Sequence, residues 1–520
     1  MQEKVFAFLC DPAQHTDVQR IDTHAASVFL EGDRAIKIKR AVRFPFLDYS
    51  TLDKRRAACE EEIKVNRPFA PQVYRRVLPI TLGADGTLTL DGHGEPVEYA
   101  VEMTRFDERK TVDHLARENA LDGHLVDAIA DAVAAAHWNA AVVPADSWLQ
   151  SIPRLIAGNS NALRAAACFS VDDVGELGTA SHAAFSRLRP LLEQRAKAGF
   201  VRRCHGDLHL ANIVVIDETP VLFDAIEFDE KIASIDVLYD LAFVLMDLLH
   251  YGRRDAANAL LNRYLSVTPA ENLDALAALP LLMSIRAAIR AQVLMARAGR
   301  ANAGGAAAIE DARAYFDLAK QLIHPPPPTL VAVGGLSGTG KSILARAIAS
   351  SISPAPGAVI LRSDVLRKQL FGVDAEERLP ESAYGPEVSD KVYEVLAQQV
   401  GRILSQGHSV IADAVFARES ERTAILEVAR RSRVGFVGLF LVTDLKTRQR
   451  RISRRIADAS DATAEIARLQ EQYDIGAVDW TIIDASGTPE ETLSACRKLA
   501  RLNLVPKCTK IETRRFPSPS

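Results

Sequence analysis

The chain has 520 residues, 48% of them hydrophobic and 25% charged, too long for one ordinary core and composed like a soluble globular protein of two or three domains. Lys and Arg number 63 against 67 Asp and Glu. Residues 1–324 carry 36 basic and 44 acidic side chains, a balance of −8, and residues 325–520 carry 27 and 23, a balance of +4. An acidic first part suits a cationic substrate and a basic second part a polyanion, although solvated surfaces explain both equally well.

Cysteines at 10, 59, 168, 204, 496 and 508 lie far apart with no C-x-x-C pair. That spacing argues against a disulfide framework or zinc site and for a reducing cytoplasm. The opening "MQEKVFAFLCDPA" has an acid at Glu3 and a six-residue apolar run, so it does not read as a secretory signal.

Residues 26–104 alternate as strands do. "SVFLEGDRAIKIKR" predicts a hairpin turning at Gly32-Asp33, with Lys37 and Lys39 on one face of its second strand. "TLDKRRAACEEEIKVNRPF" predicts a helix carrying Glu62, and "TLTLDGHGEPVEYAVEMT" further strands around Asp91-Gly92. From residue 111 to 323 helical patterns dominate, interrupted by two β runs within "RRCHGDLHLANIVVIDETPVLFDAIEFDE". The longest apolar run, "VLYDLAFVLMDLLHYG", is broken by Asp240 and Asp247 and does not predict a membrane span. "HPPPPT" cannot continue a helix and marks a stiff connector. The predicted organisation is therefore 1–323, a proline linker at 324–328, 329–505, and a disordered tail over 506–520.

Within "HGDLHLAN", Asp207 precedes Asn212 by five residues, the spacing of a kinase catalytic loop that brings a base to a hydroxyl and an amide to a metal. Asp224 follows the apolar run "PVLF" and supplies a second Mg²⁺ carboxylate. Lys37 or Lys39 can reach the α- and β-phosphates of ATP, and Glu62 can pair with that lysine. His209 and Cys204 read as loop packing, because no partner spacing supports a metal or nucleophilic role.

The second half opens on "TLVAVGGLSGTGKS", a strand, a glycine-rich turn and a helix start. Gly335, Gly340, Lys341 and Ser342 satisfy G-x-x-x-x-G-K-[ST], with Ser337, Gly338 and Thr339 completing the loop. Its amides and helix N-terminus face phosphate, Lys341 bridges phosphates and the Ser342 hydroxyl ligates Mg²⁺. Further on, "AVILRSDVLRKQLFG" ends a strand at Ser363-Asp364 with Arg367 one turn later, and "HSVIADAVF" ends a strand at Asp413. "TRQRRISRRIADASDAT" puts Arg448, Arg451 and Arg455 on one helical face, the pattern of a lid that clamps phosphoryl groups.

"CHGDLHLANIVV", "FDAIEFDE" and "IDVLYDLAF" resemble the aminoglycoside phosphotransferase and choline kinase-like superfamily over roughly 25–320. That resemblance implies a two-lobed, α+β protein-kinase-like domain with Asp207 as base, Asn212 and Asp224 as metal ligands, Lys37 (Lys39 second) as the ATP lysine, and Glu62 as its partner. The phosphate-covering loop departs from the pattern, since "FLEGDRAI" has one glycine. Residues 329–503 resemble small P-loop kinases typified by gluconate kinase, which implies an α/β domain with a parallel sheet, Asp364 and Arg367 toward the acceptor, and Arg451 and Arg455 on the phosphates. The two halves together resemble the bifunctional aminoglycoside phosphotransferase/ATP-binding proteins.

The expectation is an ATP- and Mg²⁺-dependent enzyme, cytoplasmic and without a membrane partner, moving the γ-phosphoryl to a small-molecule hydroxyl, with Asp364 or Asp413 orienting the acceptor in the second site. Two other readings stand beside it: one domain as a non-catalytic nucleotide-binding regulator, or a nucleic-acid end kinase, against which the lack of an aromatic-rich stacking surface argues. The acceptors and the oligomeric state are left open.

Overall fold

The computed structural model describes the whole chain except residues 16, 24, 45–46, 167, 299–304, 455–458 and 500–520. Arg455 and the tail predicted over 506–520 lie outside the described residues. By packing, the chain forms two compact units: residues 1–161 with 185–247, and residues 162–184 with 248–520.

The first unit is built on a six-stranded antiparallel sheet. From edge to edge its strands are Gln19–Asp22, Ala26–Glu31, Arg34–Lys39, Glu95–Thr104, Tyr74–Leu82 and Leu88–Leu90. The hairpin predicted at Gly32-Asp33 is present, with Glu31 opposite Arg34 and Val28 opposite Lys37. Phe29, Ile36, Ile38, Leu78, Ile80 and Ala100 point to one face and bury against Val5, Phe6 and Leu9 of the helix Gln2–Leu9. That apolar face accounts for the strands' alternation. Thr51 caps the helix Leu52–Asn66 by accepting from the Lys54 N–H. The helix is mostly polar, and beside Cys59 it buries three polar side chains, Arg55, Glu62 and Asn66. Arg55 donates to both carboxylate oxygens of Glu98 at 2.8 and 3.0 Å, which seats the helix on the strand Glu95–Thr104.

The helix Gly123–Asn139 and two short antiparallel ladders also belong to this unit. Val201–Arg203 pairs with Ser234–Asp236, and Ile213–Ile216 with Thr219–Leu222. The loop holding Asp207 and Asn212 lies between the first ladder and the second, so both its ends are anchored.

The second unit centres on a five-stranded parallel sheet in the order Val359–Arg362, Val410–Asp413, Thr329–Gly334, Gly435–Val442, Thr481–Asp484. Its strands are near-continuous apolar runs, as parallel strands covered on both faces must be. Val331, Val333, Ile411, Leu439, Leu441 and Ile483 pack against Leu344, Ala345 and Ile348 of the helix Lys341–Ala349. The helices Leu279–Ala298 and Gly305–Ile323, which precede the proline run, belong to this unit as well. Among the described residues one helical stretch, Ala270–Ala298, is long and apolar enough to cross a membrane, and it is mostly buried.

Candidate active sites

In the first unit two acids that interrupt an apolar helix hold the catalytic-loop sequence in shape. Asp240 accepts from the N–H groups of His205 (3.1 Å) and Gly206 (3.0 Å), and Asp247 accepts from that of Leu210 (3.1 Å). Both are buried and lie seven residues apart on the helix Val237–His250, hence on one face. Their position in the sequence had marked them only as breakers of a membrane-like run. Acids recurring at helical spacing inside an apolar helix are the signal for such anchors, because a buried carboxylate requires donors.

So anchored, the loop brings Asp207 and Asn212 together. Asn212 donates its side-chain amide to the Asp207 carbonyl at 2.9 Å, so its amide oxygen is not the atom used in that bond. His209 lies 3.5 Å from an Asp207 oxygen. His205 Nε2 is 2.8 Å from the Phe223 carbonyl, and the Phe223 N–H donates to the Asn212 carbonyl at 3.0 Å, joining the loop to the Asp224 segment. Asp224 has φ +60°, a backbone strain seldom met outside glycine and concentrated at functional sites. Its N–H donates to the Tyr74 hydroxyl at 3.0 Å. His137, Cys204 and Asp240 have ligand atoms within 4.8 Å of one another, but Asp240 already spends both oxygens on the loop amides.

Lys37 and Lys39 both reach Glu62. Lys37 Nζ donates to Glu62 Oε1 at 2.7 Å and to Asp224 Oδ1 at 2.6 Å. Lys39 Nζ forms an ion pair with Glu62 Oε2 at 2.6 Å and also bonds Glu227. Burial opposes the charge on Lys37, but Asp224 and Glu62 beside it hold the ammonium well above its ordinary range. Asp224 also feels its enclosure, and Lys37 outweighs that and draws the carboxyl down to about 2. A carboxylate paired with an ammonium, beside a free amide oxygen, is a donor set that suits a small hard cation.

In the second unit the loop 335–340 follows the strand Thr329–Gly334, and Lys341 begins the next helix. Two glycines there are required by close approach: a Cβ on Gly335 would sit 2.5 Å from the Leu441 carbonyl oxygen, and one on Gly338 2.7 Å from that of Arg448. Lys341 Nζ rests on the Leu336 carbonyl at 3.3 Å. Ser342 Oγ donates to Asp413 Oδ2 at 2.5 Å. Asp413 ends its strand opposite both Val333 and Arg362, so the sheet carries it to the loop. Burial raises its carboxyl above the usual range, against the pull of Lys341 and Ser342. A serine hydroxyl on a carboxylate next to the loop's lysine again fits Mg²⁺ beside phosphate.

Arg448 and Arg451, the two of these arginines among the described residues, differ in their surroundings. Arg448 is 1% exposed, and its guanidinium donates to the Ser337 carbonyl (2.9 Å), the Ala467 carbonyl (2.9 Å) and Gln470 (3.2 Å), and bonds Glu471. It buttresses the loop from behind, which corrects its expected place in a phosphate-facing lid. Gln470, which sequence reasoning missed, accepts from the Ser337 N–H at 2.8 Å and donates to its hydroxyl at 3.0 Å. Arg451 reaches the Thr339 carbonyl at 3.3 Å and the Gly487 carbonyl at 2.6 Å.

On the other side, Asp364 lies half-buried in the first turn of the helix Ser363–Leu370. Arg367 is buried, donating to the Ala383 carbonyl (2.6 Å) and Ser389 (3.3 Å), with Tyr384's ring 4.8 Å away. It is thus committed to the segment bordering Asp364 rather than projecting into an open space.

Comparison with known proteins also finds two parts, but bounded differently from the packed units, since the first match runs on into residues 162–184 and 248–279 of the second. The model of the phosphotransferase enzyme family matches residues 27–279, and that described as AAA domain matches 330–474. Uncharacterized proteins of Mycobacterium tuberculosis (strain ATCC 25618 / H37Rv) and Mycobacterium bovis (strain ATCC BAA-935 / AF2122/97) are 29% identical over 504 residues, 93% of this chain and 96% of theirs. Among solved structures, an aminoglycoside phosphotransferase from Streptomyces rimosus, in complex with ADP and streptomycin, is 19% identical, covering 54% of this chain and 99% of that one, at a TM-score of 0.31. A gluconokinase from Sinorhizobium meliloti is 21% identical over 34% of this chain and 94% of that one, at 0.23.

Proposed function

We propose that this chain, which joins a domain of the phosphotransferase enzyme family to a P-loop kinase-like domain, moves the γ-phosphoryl of ATP to the hydroxyl of a small molecule at each of two sites. The observation that carries the reading is the convergence of Lys37, Glu62, Asp207, Asn212 and Asp224, drawn from four separate stretches of sequence, on one cluster. Phosphoryl transfer needs little covalent help from a protein; it needs orientation and charge.

In the first site Asp207 accepts the acceptor hydroxyl's proton, while Lys37 leaves Asp224 for phosphate oxygens. Asn212 and Asp224 hold Mg²⁺, which supplies neutralisation of the charge developing on the phosphates. In the second site the amides of Ser337 to Gly340 and the start of the helix at Lys341 cradle phosphate, and Lys341 stabilises the transferring group. Ser342 and Asp413 hold the metal there, Asp364 orients the acceptor, and Arg451 and Arg455 close on the phosphates. The curated relatives that cover nearly the whole chain are uncharacterized, so the acceptors rest on chemistry alone: alcohols small enough for an enclosed site, in the cytoplasm.

The test is ADP formation from ATP and Mg²⁺ across a panel of sugars, amino alcohols and aminoglycosides. At least one acceptor is expected to raise turnover well above the basal hydrolysis rate. A flat panel, with nucleotide bound at both sites, would favour a nucleotide-binding regulator.

A further inference from the structure

Lys39 has no task in the chemistry above, yet it is the more deeply enclosed of the two strand lysines. It is 3% exposed where Lys37 is 14%. Its ammonium lies 2.6 Å from Glu62 Oε2, bonds Glu227 Oε1 and sits 5.4 Å from the centre of the Tyr49 ring. The Tyr49 hydroxyl donates to the same Glu227 oxygen at 3.2 Å. Glu62 is 0% and Glu227 8% exposed. Two ammoniums therefore serve three carboxylates: Glu62, Asp224 and Glu227.

Under the proposed reaction this cluster must come apart and re-form at every turnover. When phosphate arrives, Lys37 exchanges Asp224 for phosphate oxygens, and Asp224 turns to the metal. A buried carboxylate whose partner leaves suffers a large desolvation cost. Glu62, which shares Lys37 with Asp224, and Glu227 keep a cation throughout that exchange because Lys39 holds both. Lys39 is more deeply buried than Lys37 and paired with both.

Glu227 is also three residues from Asp224, in the turn Asp224-Ala225-Ile226-Glu227. The same turn is braced to the Glu62 helix by Asn66, which accepts from the Ala225 N–H at 2.7 Å and donates to its carbonyl at 3.2 Å. Lys39 thus ties the helix that orients Lys37 to the segment that presents Asp224.

We propose that Lys39 is a positioning residue: a stationary counter-ion for Glu62 and Glu227 that lets Lys37 and Asp224 change partners. The proposal rests on the first site binding Mg²⁺-nucleotide. It is tested on the full chain carrying Lys341→Ala, which weakens the second site, with K39M, K39R and K39M/E227Q added to it. The readouts are the affinity of a fluorescent ADP analogue with Mg²⁺, the thermal shift that Mg²⁺-ADP produces, and kcat against KM for ATP.

K39M is expected to weaken nucleotide binding by about tenfold or more, a fraction of what breaking a buried pair costs a fold. It should raise KM for ATP more than it lowers kcat. K39R is expected to restore most of the affinity, and K39M/E227Q to bind better than K39M alone, since one stranded charge is removed with its partner. Folded K39M with undiminished affinity, or a double variant worse than K39M, would overturn the proposal while leaving the reading of the site intact. If the parent Lys341→Ala chain bound no Mg²⁺-ADP, the reading itself would fall and the proposal with it.

Discussion

At the scale of single residues the account turns on where charged side chains spend their bonds. Arg448 was legible as a basic residue on a helix bearing other arginines, a pattern that fits a clamp as well as a buttress. Its burial against Ser337, Ala467 and Gln470 decides for the buttress. Arg448→Ala is then expected to strand the Ser337 and Ala467 carbonyls, at about 2–4 kcal/mol. It should loosen the phosphate loop, so nucleotide affinity at the second site falls while Arg448→Gln, which keeps a donor, loses less. Isothermal titration with Mg²⁺-ATP checks both. The glycines, Lys341 and Ser342 could be read from sequence because a phosphate loop is contiguous. Gln470 could not: it meets Ser337 across 133 positions, and nothing in a lone glutamine announces that.

Among the elements, the helix Arg254–Val267 does for the outer strand of the parallel sheet what a sixth strand would do. Asn258 and Asn262 donate to the Ala358 carbonyl at 3.0 and 3.1 Å, and Asn262 accepts from the Ile360 N–H at 2.8 Å. An edge strand left bare is an aggregation risk, and here the two amide side chains satisfy it. Asn262→Ala should cost about 1–3 kcal/mol by leaving the Ile360 N–H unpaired, measured by urea unfolding. The strand ends at Arg362, immediately before Ser363 and Asp364, so the substitution should also raise KM for the second site's acceptor.

The link before the next strand holds a pH-sensitive group. His408 is 1% exposed, and burial draws its pKa down to about 4, the bond to the Gly357 carbonyl opposing only in part. The folded chain therefore holds it neutral where the unfolded chain, with an ordinary value near 6.5, takes up a proton. Between pH 6.5 and about 4 the unfolded state binds more protons, so stability is complete above that window and declines as pH falls through it. His408→Gln should flatten this part of a melting-temperature profile measured from pH 7 to pH 4.5. Helices and strands of this kind followed from period and caps; the pairings among them came from long-range contacts that spacing does not encode.

For the whole molecule, the two candidate clusters were legible as motifs, whereas the way the chain partitions into packed units was not. The proline run breaks the helix pattern, but the helices before it contribute Asn258, Asn262 and the Asp274 carboxylate that pairs with Arg402, all within the second unit. A fragment starting at Thr329 is accordingly expected to melt well below one starting at Leu248, and differential scanning fluorimetry distinguishes them.

The central claim is that one chain holds two independent phosphoryl-transfer sites. It is tested most directly by assaying wild type, Asp207→Asn and Lys341→Ala in parallel for transfer from ATP across the same acceptor panel. The account predicts that each substitution removes transfer to its own acceptor, by about 10²–10⁴-fold, and spares the other's. Wild-type turnover in both variants, or the loss of every activity to Lys341→Ala with Asp207→Asn silent, would contradict it.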